Sequence, residues 1–326
     1  MDEKQRPVTT PFVYRTVFLI TGLYSLPILL PSLFGWMLGL LAVPVAWLLG
    51  NEQHKQSGII LTASLLPVVL LSLITGRLLI FLGMLPLVPL GYSLYISGEK
   101  KRSPAAAACF GILTLGGCLL LFWILYLRAT GIHPYRQLVD MMDAAFVAAG
   151  DAYLKSGEVP VDMQQQLTAV LVDLRTLLPK ILPGILFSML LFTVWMNEVI
   201  WNGFLLRRQP HKAPWPPYRE WQLPEILVWL PITVGAAYVF GPESWKNIAL
   251  NGLIVSAVIY FFQGLAVLLH LLARWNVPGY FKLLLYGMLV IQSYGLILLS
   301  LLGVADIWFN LRPATGPLDR AGPAKT

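Results

Sequence analysis

The chain has 326 residues, of which 57% are apolar and only 12% charged, and its mean hydropathy is +0.70. Soluble domains carry about 25% charged residues, so a soluble fold is excluded, and the apolar runs are too many and too long for one buried core. The formal charge of +7 does not indicate nucleic acid, because the basic residues sit in short loops between apolar runs, as membrane orientation requires.

The chain starts with a polar, mixed-charge stretch, MDEKQRPVTTPFVYR, which leads straight into an apolar run without a small-residue cleavage site; no cleavable signal is expected. Span 1 is read at about 12–31 and span 2 at 33–49, with a polar loop at 51–57. Span 3 covers 58–73 and span 4 covers 78–96, followed by the basic loop GEKKRS at 98–103. Span 5, at 104–127, is rich in Ala and Gly (AAAACFGILTLGG), which favours close helix approach. Cys109 and Cys118 lie in this span, nine apart and without paired-ligand spacing, so packing rather than metal or redox chemistry is expected.

Residues 128–180 are too polar to span. Leu138, Met142, Phe146 and Tyr153 recur at helical intervals, as do Leu167, Val170, Leu174 and Leu178, with SGEVP between the two stretches. An amphipathic helical pair is predicted, on the bilayer or over the spans. Span 6 follows at 181–206, then RRQPHK and the Pro-broken, aromatic PWPPYREW, read as an interfacial aromatic belt. Span 7 is read at 225–240. Spans 8 and 9, within 245–312, are read as an antiparallel hairpin turned at Pro278–Gly279, with Lys246 and Asp306 brought together at its outer end. The tail RPATGPLDRAGPAKT has the composition of a disordered segment.

These readings predict an all-α, polytopic transmembrane helical bundle with an external amphipathic helical insertion and about nine spans of some 20 residues each. The domains are a five-span bundle at 1–127, the insertion at 128–180, a four-span module at 181–312 with an interfacial segment at 209–224, and the tail at 313–326. Lysine and arginine concentrate in alternate loops, which puts the N-terminus inside, the insertion outside and the tail outside.

Polar residues inside apolar spans are the candidate chemistry, because lipid-facing positions reject them. Glu198, in VWMNEVIWNG, lies about 12 Å from the Arg207 boundary by helical rise. An acidic group at such depth costs on the order of 2–3 kcal/mol, so a partner or protonation is expected. Asn202 lies one turn on. Gln263 and His270 share a face of span 8, and Asn251 and Gln292 stand where they could bond across the hairpin. The expectation is that Glu198 faces inward and bonds a polar side chain of 245–312. The competing reading of all six is structural: hydrogen bonds that join helices, and a histidine near a helix end. The sequence contains no GxxxxGK[ST], HExxH or GxSxG motif and no paired Cys ligands, so no nucleotide, metal, other cofactor or hydrolytic chemistry is expected.

The run from Asn251 through YFFQGLAV to GVADIWFNLR, together with REWQLPEILVW at 219–229, resembles the YybS-like family of predicted bacterial membrane proteins, a family without an established activity. The resemblance implies a multi-pass protein of the bacterial cytoplasmic (inner) membrane. The first six spans, at 1–208, are similar in span count and small-residue content to the substrate-binding component of energy-coupling-factor vitamin importers, a likeness of fold alone. Together these point to a non-enzymatic membrane protein binding a small molecule or lipid between helices, as the substrate subunit of a transporter with a separate motor. The alternative is a structural or scaffolding subunit that recruits envelope or membrane-associated partners. An intramembrane enzyme using Glu198 and His270 is the least supported.

Overall fold

The computed structural model describes residues 10–50, 54–155, 161–291 and 294–312. Gln292, the SGEVP linker at 156–160 and the 313–326 tail lie outside the described residues. Every regular element among the described residues is helical, as lipid requires of a spanning backbone outside closed barrels. Among the described residues five helices are long and apolar enough to cross a membrane, or six if the bent pair Val13–Leu29 and Pro31–Leu40 is one span. The chain forms two compact units, one of Met1–Asp140 with Leu190–Trp215, the other of Met141–Met189 with Pro216–Thr326.

In the first unit α1 (Thr10–Leu29) stops where Pro31 opens α2 (Pro31–Phe34), and the chain turns by 111°. The carbonyls of Ile28 and Leu29, freed by that stop, accept from the Arg77 guanidinium, a cation where the helix dipole is negative. A 3-10 stretch at Gly35–Leu40 and α3 (Ala42–Gly50) carry the chain back to α4 (His54–Ile74). Thr21 Oγ1 donates to the Ser64 carbonyl (3.0 Å), and Ser57 Oγ donates to the Leu48 carbonyl (3.2 Å). Thr21 meets Ser64 and Ile28 meets Arg77 just past the end of α4, so partner numbers rise together, α1 and α4 run parallel, and 31–50 brings the chain back between them.

Next come α5 (Leu78–Met84), α6 (Leu87–Glu99) and α7 (Pro104–Thr130). Gly91 lets α6 close on α3, since a Cβ there would collide with the Ala42 carbonyl and Val45. Ser103 caps α7, its Oγ accepting from the Ala106 amide (3.3 Å), and Gly131 ends it with a φ of +69°, the left-handed conformation that glycine adopts without strain.

One helix differs from expectation in extent. α8 (Pro134–Lys155) forms as predicted, but its partner is the start of α9 (Val161–Arg208), a single helix of 48 residues that runs on through the expected span 6. No break falls at 180, because Pro179 and Pro183 are accommodated inside the helix. Within the second unit α8 and the first part of α9 lie antiparallel, joined by the Asp143–Arg175 ion pair and by Gly150 against Leu171. The guanidinium holds the Asp143 carboxyl below the ordinary carboxylate range.

The second unit continues with α10 (Trp229–Phe240), α11 (Glu243–Arg274), α12 (Gly279–Ile291) and α13 (Gly295–Phe309). The antiparallel hairpin expected for 245–312 does not form. Ser300 Oγ donates to the Ala257 carbonyl (2.7 Å), and Gln263 Nε2 donates to Asp306 Oδ2 (2.7 Å). The two pairs share the same sequence offset, so α13 runs parallel to α11, and the short α12 carries the chain back between them. Lys246 therefore pairs not with Asp306 but with Glu243, one turn away at 2.6 Å. Glycine makes this packing possible: a Cβ at Gly264 would run into the Leu299 carbonyl, and one at Gly303 into the Tyr260 carbonyl.

Candidate functional site

Two buried polar clusters emerge, one in each unit. The first lies on α9. Asn197, Glu198, Trp201 and Asn202 recur at helical spacing on its inward face, and Glu198 is only 1% exposed. Asn197 Nδ2 donates to the Gly39 carbonyl and to the Thr193 carbonyl (2.8 Å). It thereby satisfies a carbonyl of the irregular 3-10 return, a backbone acceptor that would otherwise be costly to bury. Asn202 Oδ1 accepts from the Trp215 amide (3.3 Å), which folds the segment after α9 back onto its helix. Trp201 stacks edge-on against Trp215 at 5.7 Å and packs over Gly98 of α6.

Four buried side-chain atoms of this neighbourhood have no hydrogen-bond partner among the described residues. They are the acceptors Asn197 Oδ1 and Glu198 Oε1, the indole N–H of Trp201, and Ser97 Oγ. Buried polar groups are nearly always paired, and an orphan costs about 1–3 kcal/mol, more for a charged group. The inward orientation expected of Glu198 is present. Gln263 and Asn251 make their hydrogen bonds within their own unit, the second.

Those engagements build the second cluster. Asp306 Oδ2 accepts from Gln263 Nε2 and from the Arg312 guanidinium (Nη2 at 2.6 Å, Nε at 3.3 Å). Arg312, 3% exposed, also donates through Nη1 to the carbonyls of Trp221 (2.7 Å) and Arg219 (3.2 Å). Gln263 Oε1 accepts from the Leu223 amide (3.1 Å), and the Tyr218 hydroxyl donates to the Phe262 carbonyl. The stretches 219–223 and 260–312 thus meet at one buried ion pair. Sequence reading missed Arg312 by placing it in an outer tail. The structure brings it to the 219–221 loop, so the chain leaves this unit at the end where that loop lies.

The other candidates divide as follows. Asn251 bridges one turn of α9, with Nδ2 donating to the Lys180 carbonyl (2.7 Å) and Oδ1 accepting from the Gly184 amide. That turn contains Pro183, which has no N–H of its own to give, so Asn251 is a structural stitch. His270 is half-buried, and its charged neighbours are Arg312, Arg219, Arg274 and Glu220. It forms none of the cluster bonds described. Trp215 and Trp221 are buried at 4% and 8% exposure rather than displayed as an interfacial belt; their indole N–H groups donate to the carbonyls of Arg102 and Pro216. Among the described residues no group of three or more His, Cys, Asp or Glu is placed to hold a metal ion.

The family model described as "Predicted membrane protein (DUF2232)" matches residues 16–307. No curated protein and no solved structure matches the chain.

Proposed function

The chain belongs to that family of predicted membrane proteins, and from this premise we propose that it is a non-enzymatic bacterial inner-membrane protein that binds a small polar molecule at Glu198. The observation that carries the reading is the buried Glu198 Oε1, which, like Asn197 Oδ1, has no hydrogen-bond partner among the described residues. Two acceptors with nearby indole and hydroxyl donors suit a ligand bearing both an amine and a hydroxyl or carbonyl. The resemblance of 219–229 and 251–312 to YybS-like proteins, and of the first six spans to energy-coupling-factor substrate subunits, supports a substrate subunit served by a separate motor.

Native mass spectrometry of the detergent-purified protein tests this. The wild type should retain a small-molecule mass, and Glu198→Gln should lose it while melting at a similar temperature. Equal retention by both proteins, or none by either, overturns the reading. A scaffolding role has one observation in its favour: α8 and the start of α9 leave Met141, Tyr153, Met163 and Val170 more than half exposed. Copurification of envelope proteins in place of a ligand and an ATPase would favour it.

A further inference from the structure

Two basic loops lie about a hundred positions apart in the sequence: Lys100, Lys101 and Arg102 after α6, and Arg207 and Arg208 at the end of α9. Folding joins them inside the first unit. The Trp215 indole N–H donates to the Arg102 carbonyl (2.7 Å), its backbone amide donates to Asn202 Oδ1 on α9, and Trp201 and Pro214 close over Gly98. A topogenic loop has no need of such an anchor, because the positive-inside rule counts charges and not their convergence.

We propose that this end of the unit is a binding site for the headgroup of an anionic phospholipid. Lys100, Lys101, Arg207 and Arg208 are exposed, and among the described residues none of the five cations is paired with a carboxylate. The Arg102 guanidinium is oriented by stacking over the Phe110 ring at 4.3 Å, a cation–π contact that fixes it without neutralising it. The positive end of the α7 dipole adds to the same field. A free phosphate would need only the charges. A lipid also needs apolar surface leading away from them, and Phe204 and Ile200, successive turns of α9 before Arg208, are each 39% exposed. Charge at one end and an exposed apolar helix face beside it match a phospholipid.

The test adds phosphatidylglycerol or phosphatidylcholine to the full chain in a neutral detergent and counts retained lipid by native mass spectrometry. The wild type should retain one phosphatidylglycerol in preference to phosphatidylcholine. Each juxtamembrane cation contributes about fivefold in affinity, equivalent to about 1 kcal/mol. Lys100→Gln/Lys101→Gln and Arg207→Gln/Arg208→Gln should therefore each lower retention by roughly 25-fold. Trp215→Phe keeps every charge and an aromatic ring against Trp201 while removing the indole donor to Arg102, and should still lower retention severalfold. The paired glutamine variants change only exposed side chains, so they decide the question even if Trp215→Phe melts early. The proposal is overturned by equal retention of the two lipids, by a loss confined to one loop, by wild-type retention in a folded Trp215→Phe, or by full displacement with millimolar inorganic phosphate.

Discussion

Arg312 shows how much a single side chain can depend on the fold. Its guanidinium gives four hydrogen bonds, two to Asp306 and two to backbone carbonyls of the 219–221 loop. A buried pair of this kind is weak evidence for net stability, because desolvating two charges offsets much of their attraction. Breaking it is another matter, since the remaining carboxylate stays buried without a countercharge, held only by the Gln263 amide. Arg312→Ala should destabilise the protein by about 3–5 kcal/mol, whereas Asp306→Leu combined with Arg312→Met should recover much of that loss. Thermal melting in detergent checks both, and simply additive losses would count against the pair. Gln263 and Asn251 were legible as interior residues because lipid rejects their amides. Arg312 was not, because it follows the last apolar run by only a few residues and a Pro/Gly-rich stretch comes after it.

At the scale of elements, helix existence followed from the length of the apolar runs, while helix direction did not. The parallel approach of α11 and α13 rests on Gly264 and Gly303, each facing a backbone carbonyl of the other helix. In a bilayer such close backbone contact is a main source of helix association, as lipid tails give apolar faces no reason to pair. Gly264→Ala and Gly303→Ala should each cost about 1–3 kcal/mol through forced separation of the helices. Gly287→Ala, in the middle of α12 with open space around its Cβ position, should be neutral or slightly stabilising. Melting temperatures of the three variants, each compared with wild type, provide the measurement; a Gly264→Ala protein as stable as Gly287→Ala would contradict the packing argument. The same kind of glycine approach, Gly91 against α3, seats the return of the first unit.

For the whole molecule, the asymmetry of lysine and arginine between alternate loops predicts that Ser103 and His211 lie on the inner face and Gly157 on the outer. Cysteines at Ser103 and His211 should therefore be protected from impermeant thiol reagents in intact cells, and one at Gly157 should label. Labelling at Ser103 would reverse the orientation. α9, at about 72 Å from its 48 residues, is far longer than the roughly 30 Å hydrocarbon core, so one helix serves both as a span and as half of the 128–180 insertion. The sequence by itself determined class and composition: all-α, membrane-embedded, with acidic and amide residues forced inward and basic residues gathered in loops. Those follow from solvation, which acts residue by residue and can be read without partners. Only the tertiary structure decided that 279–309 turns back on itself, that Arg312 closes on the 219–221 loop, and that Lys100–Arg102 and Arg207–Arg208 share one end of the first unit. These depend on glycine-permitted backbone contact and on single hydrogen bonds between residues far apart in the chain, such as that from Trp215 to Arg102, and hydrophobic periodicity carries no trace of either.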